Sequence, residues 1–95
     1  MQTVQVESGG KIVGNVLVMD GTLQQLTPLT TKVNSVMLRN NTNNGNVLIY
    51  SNGGVPCAFI KADETLTIDI SNASEINLVG TNGQSLYWIA VTARM

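Results

Sequence analysis

Histidine is absent from this 95-residue chain, cysteine and tryptophan occur once each, and proline occurs twice. Without an imidazole the common nucleophile–base pairs of hydrolases and acyl transferases cannot be assembled. Cys57 stands alone, so no internal disulfide can form and the fold must hold without a covalent staple. Within an apolar-leaning strand, such a cysteine is expected as a small buried hydrophobe. Charge is also scarce. Asp, Glu, Lys and Arg make up 12% of the residues, about half the usual ~25% share. The net charge is −1, and Lys11, Lys32, Arg39, Lys61 and Arg94 are too scattered to neutralise a row of phosphates, which argues against nucleic acid. No basic amphipathic segment suits a membrane surface. The longest apolar run, residues 86–91, falls far short of the ~20 residues that span a bilayer. Residues 1–5 lack both the positive and the apolar region of a secretory signal, so none is expected.

Asn, Thr, Ser and Gln take the place of the missing charge. Helices favour Glu, Lys, Ala and Leu on their wet faces, so this substitution favours strands and turns. Low charge also removes protection against association at sheet edges and favours a symmetric oligomer. The clearest strand is residues 65–70, where Leu66, Ile68 and Ile70 alternate with Thr65, Thr67 and Asp69. Residues 71–74 break it, and 76–79 form a short strand. After a turn at 80–83, residues 86–91 are apolar at nearly every position. A strand apolar on both faces must be covered on both, within a sandwich or at a subunit contact.

Earlier in the chain, residues 3–7 read as an edge strand or an arm, with Val4 and Val6 on one side. Residues 11–19 read as a strand in which Ile12, Val16 and Val18 share a face with Gly14, whose presence signals a bulge or a close backbone approach. Asp20-Gly21 predicts a hairpin turn back into a short strand at 22–26. Residues 33–39 form a strand with Val36 and Leu38 inward. The Asn-rich stretch 40–46 is a turn, and 47–51 is an apolar central strand. Asn52-Gly53-Gly54 turns into an edge strand at 56–60, placed at an edge by its proline. Short strands with turn signals every ten or so residues predict an all-β fold: one small β-sandwich, jelly-roll-like, of about eight strands, with residues 1–8 as an N-terminal arm or edge strand.

Chemistry-bearing constellations are sparse. Asp63, Glu64, Asp69 and Glu75 do not have the spacing of a calcium loop and read as solvated turn and strand positions. Gly9-Gly10 and Gly53-Gly54 lack the helix and lysine of a phosphate cradle. No catalytic residue, metal site or cofactor is expected. The amides of residues 40–46 suit a sugar, but turn chemistry alone explains them. Among the aromatics Tyr50, Phe59, Tyr87 and Trp88, alternation sends either Tyr87 or Trp88 away from the core. The expected interface residues are Val4, Val6, Tyr50, Tyr87 and Trp88.

From Leu23 onward the order of pieces resembles small β-sandwich structural proteins of tailed bacteriophages. The matching stretches are Thr22-Leu23-Gln24-Gln25-Leu26, the strand 32–40 ending in asparagine, and Asn46-Val47-Leu48-Ile49-Tyr50 after a Gly/Asn turn. Residues 60–68, 76–80 and 83–90 complete the pattern. In that family the turn before the alternating strand reads Pro-Gly-Glu or Ala-Gly-Glu; here it is Ala62-Asp63-Glu64, with Asp63 in place of glycine. The resemblance covers about the last three-quarters of the chain and leaves residues 1–20 unassigned. It implies a non-enzymatic virion protein, foremost a capsid decoration or cement protein made in the host cytoplasm and bound to the major capsid protein lattice or other virion proteins. A homotrimer is the expected state, from the last strand and the symmetry usual at capsid sites. The alternative is a receptor- or glycan-binding module on a tail or head fibre.

Overall fold

A computed structural model describes residues 10–92. Eight strands form two four-stranded antiparallel sheets: β1 (Ile12–Val18), β2 (Gln24–Gln25), β3 (Val33–Asn40), β4 (Val47–Tyr50), β5 (Pro56–Ile60), β6 (Thr65–Ile68), β7 (Asn77–Val79) and β8 (Ser85–Thr92). One 3-10 turn, Ala73–Glu75, lies between β6 and β7, capped by the Asn72 side chain accepting from the Ser74 amide. The strand orders are β1-β8-β3-β6 and β2-β7-β4-β5. Consecutive strands thus alternate between sheets in all but one step, β4 to β5, which is the connectivity of a jelly roll. The all-β sandwich of about eight strands read from the sequence is therefore present, with eight strands among the described residues.

The core fills the space between the sheets. Val36, Leu38, Leu86, Trp88 and Ala90 enter it from one side, and Val47, Ile49, Ile60 and Leu78 from the other. Each fully buried Val, Leu or Ile side chain stabilises the sandwich by about 1.5–3 kcal/mol. Val33 and Val36 both point inward although three residues apart, because a register shift between them resets the alternation of β3. Gly14 is the close approach expected of it: a Cβ there would lie 2.4 Å from the Trp88 carbonyl oxygen.

Two elements differ from the sequence reading. Gly21 does turn the chain with φ +84, but Asp20-Gly21 is not a hairpin: β1 pairs with β8, and β2 pairs with β7 in the other sheet. The turn is a corner between sheets. Two side chains build it: Asp20 accepts from the Thr22 amide and hydroxyl, while Gln24 accepts from the Asp20 amide. Cys57 is exposed rather than buried, because β5 is an edge strand and only Ile60 of it reaches the core. Pro56 at that edge costs no ladder bond, as its position in the sequence required.

Candidate interaction surface

The register of the β1-β8-β3-β6 sheet decides which side chains share its outer face. Val16 lies opposite Tyr87, Gly14 opposite Ile89 and Ile12 opposite Val91. Across the next ladder, Tyr87 faces Arg39 and Ile89 faces Met37. Directly opposed residues sit within about 5.5 Å of each other, so Val16 with Tyr87 and Met37 with Ile89 are cross-strand pairs, while Ile12 and Val18 lie on the same outer face of β1, Val18 opposite Ser85. Ile12 is 59%, Val16 45%, Val18 61% and Tyr87 43% exposed. Single exposed apolar residues are ordinary, whereas exposed apolar side chains grouped on one face are the feature to weigh as a candidate contact surface.

Polar groups bound this area on two sides. On the β6 side, Arg39 turns away to the turn before β6, where Nη1 donates to the Asp63 carbonyl at 2.8 Å and to Thr65 Oγ1 at 3.3 Å, and Nη2 pairs with the Asp63 carboxylate. On the free β1 side, the Val16 amide donates to its neighbour Asn15 Oδ1, and Gln24 Nε2 donates to the Val18 carbonyl. Those two side chains occupy backbone groups that would otherwise seek another strand.

The aromatics named from the sequence do not converge. Trp88 is buried, at 6% exposure, within the core cluster; its place among contact residues is corrected accordingly. Its neighbour Tyr87 is the one facing outward, as alternation demands. Tyr50 is half-buried on the outer face of the opposite sheet, beside Leu48. There Leu48 lies opposite both Phe59 and Val79, giving a second, smaller apolar area. Val4 and Val6 lie outside the described residues. The sequence reading missed Ile89, Met37 and Phe59 as outward residues. Their signal was present in strands apolar at consecutive positions, since no strand can turn two adjacent side chains into one core.

The polar stretches are occupied with holding turns. Asn40 is fully buried; its Nδ2 donates to the carbonyls of Gly45 at 3.0 Å and Ile60 at 2.9 Å. Asn44 Nδ2 in turn donates to Asn40 Oδ1 and the Ser85 carbonyl. Two amides of the 40–46 turn are thus spent internally and are not free to recognise a sugar. Asp63, where the resembling proteins carry glycine, has φ +65; besides Arg39, its carboxylate accepts from Thr42 Oγ1 at 3.1 Å. Glu64 Oε1 accepts from the Lys61 amide, closing the same turn. Hydrogen bonds from the Thr22 hydroxyl and then the Thr22 amide hold the Asp20 carboxyl below its ordinary value. Among the described residues, no three His, Cys, Asp or Glu side chains come together as metal ligands would, and no helix is long and apolar enough to cross a membrane.

No family model and no curated protein matches the sequence. Among solved structures, one from Bacillus endospore appendages that form a novel family of disulfide-linked pili superposes with a TM-score of 0.54. The two are 12% identical, and the match covers 98% of this chain and 100% of the other. At that identity the likeness extends to the fold alone: the described chain shares its sandwich architecture with an appendage protein.

Proposed function

We propose that this protein is a non-enzymatic structural subunit that assembles with copies of itself, as a trimer, by burying the outer face of the β1-β8-β3-β6 sheet. The carrying observation is the apolar outer face of that sheet, where Ile12, Val16, Val18 and Tyr87 are exposed beside the half-buried Met37 and Ile89. The last strand, apolar on both faces, then has its inner face in the core and its outer face against a neighbour. The finer reading is a decoration or cement protein on a tailed-phage capsid, supported by the sequence resemblance and by a sandwich fold of the kind it implied.

A subunit of a surface appendage is the second reading, favoured by the structural likeness to the pilus protein. Disulfide linkage does not carry over with it. A covalent polymer needs two linkage points per subunit, and with one cysteine the chain can join at most one neighbour. A filament of this sequence would have to be held by contacts other than a continuous run of disulfides.

Sedimentation velocity of the purified protein tests the assembly. A trimer is expected for the wild type and a folded monomer for Val16→Asp, which would place a charge in the middle of the buried area. A wild type that stays monomeric at all concentrations overturns the reading. Copy number in purified particles separates its two forms: hundreds per capsid support decoration, and recovery from cell-surface filaments supports the appendage.

A further inference from the structure

Three Asn-Gly dipeptides occur in the chain: Asn44-Gly45, Asn52-Gly53 and Asn82-Gly83. Asparagine before glycine is the sequence most open to spontaneous deamidation, because no Cβ shields the following amide nitrogen from the asparagine side chain. That nitrogen is the nucleophile, and it must be free to turn toward the side-chain carbonyl carbon.

The structure restrains two of the three. At the first pair, the Asn44 side chain is held by Asn40 and the Ser85 carbonyl, and the Gly45 amide donates to Gln84 Oε1 at 3.0 Å. At the third, the Gly83 amide donates to the Met19 carbonyl at 2.7 Å, and Gly83 is fixed at φ +86. The middle pair differs. Asn52 and Gly53 are the exposed central residues of a turn closed by the Gly54 amide donating to the Ser51 carbonyl at 2.9 Å. Neither the Asn52 side chain nor the Gly53 amide has a hydrogen-bond partner among the described residues.

We propose that Asn52 is the deamidation site of this protein, while the fold protects Asn44 and Asn82. Hydroxide removes the Gly53 amide proton, and the nitrogen attacks Asn52 Cγ. The Cγ–Nδ2 bond breaks, and Nδ2 leaves as ammonia after taking up a proton from water, which closes a succinimide. Water then opens the ring. Attack at Cγ gives aspartate; attack at the main-chain carbonyl carbon gives isoaspartate, with the backbone now running through Cγ. Either product adds one negative charge to a chain of net −1. It does so at the β4–β5 turn, beside Tyr50 and the exposed Val55.

Purified protein aged in mildly alkaline buffer and mapped by peptide mass spectrometry, with an isoaspartyl methyltransferase assay, tests this. In folded protein, Asn52 should convert several-fold faster than Asn44 or Asn82; in guanidinium the three rates should converge. Gly53→Ala should suppress conversion at Asn52 without disturbing the fold, since a Cβ there meets only Ser51 Oγ at 3.8 Å. Gln84→Ala, which frees the Gly45 amide, should raise the rate at Asn44. Equal or faster conversion of Asn44 or Asn82 in the folded protein would overturn the proposal, as would Gly53→Ala without effect.

Discussion

Asn40 shows how much one side chain can hold. Its amide ties the turn after β3 to the end of β5, and Asn44 extends the tie to β8. Asn40→Leu removes its bonds to the Gly45 and Ile60 carbonyls and one of the two made by the Asn44 amide, which keeps its bond to Ser85; with the Ile60 bond the buried one, at about 1–3 kcal/mol for an unmet buried group, a loss of about 1–3 kcal/mol in urea denaturation is expected. Asp63 separates two effects. Asp63→Gly removes a left-handed strain of about 1–2 kcal/mol and loses an exposed ion pair worth about 0–1 kcal/mol together with the exposed Thr42 hydrogen bond, so its stability should stay close to the wild type. Asp63→Ala keeps the strain and loses the pair, and should melt lower. Asp20 sets a pH dependence. Its carboxyl is depressed in the folded state, so its stabilising bonds to Thr22 are fully present above the unfolded value of 3.8 and are lost as pH falls through the lower folded value. Acid titration of stability should therefore be steeper below 3.8 for the wild type than for Asp20→Asn. At this scale the sequence was partly legible. Asp63 stood out as a glycine substitute only through the resemblance to the phage sandwich proteins, whereas the choice between Tyr87 and Trp88 could not be made, because both faces of β8 are apolar and nothing local sets the phase.

Among the elements, β6 was placed from clean alternation with Leu66 and Ile68 against the core, and β3 was placed with Val36 and Leu38 inward although Met37 lies between them. The Asp20-Gly21 corner was misread because turn chemistry encodes a reversal of direction and says nothing about which sheet receives the next strand. The deciding contacts are remote in sequence: the Met19 amide donates to the Gln84 carbonyl and the Gly83 amide to Met19. The same corner yields an element-scale prediction. Met19 is buried against Gly80, where a Cβ would fall 1.8 Å from its sulfur. Gly80→Ala must therefore push Met19 out of its place between β1 and the turn after β7. Overpacking of this kind costs about 1–3 kcal/mol, and Gly80→Ala combined with Met19→Ala should be less damaging than the sum of the two single changes. Thermal melting of the three variants measures it.

For the whole molecule, the two outer faces carry different expectations. The proposed contact lies on the β1-β8-β3-β6 sheet, so Phe59→Glu on the opposite sheet should leave the sedimentation coefficient unchanged where Val16→Asp lowers it. If Phe59→Glu also dissociates the assembly, both faces are engaged and the contact is head-to-tail, the geometry that makes open filaments. The candidate face was half legible: a doubly apolar last strand pointed to cover on both sides, but the same-face neighbours Ile12, Val16 and Met37 emerge only once the register is known. That register has a further consequence, in time rather than in space. Strand β8 is the last of the eight to be synthesised, yet it lies between β1 and β3, and Ile12 must wait for Val91. At about 5–20 residues per second on the ribosome, β1 emerges several seconds before the strand it pairs with. Throughout that interval β1 and one side of β3 have no ladder partner. The sheet that carries the proposed contact therefore closes only after the whole described chain has been made, so slow, late folding is built into the strand order.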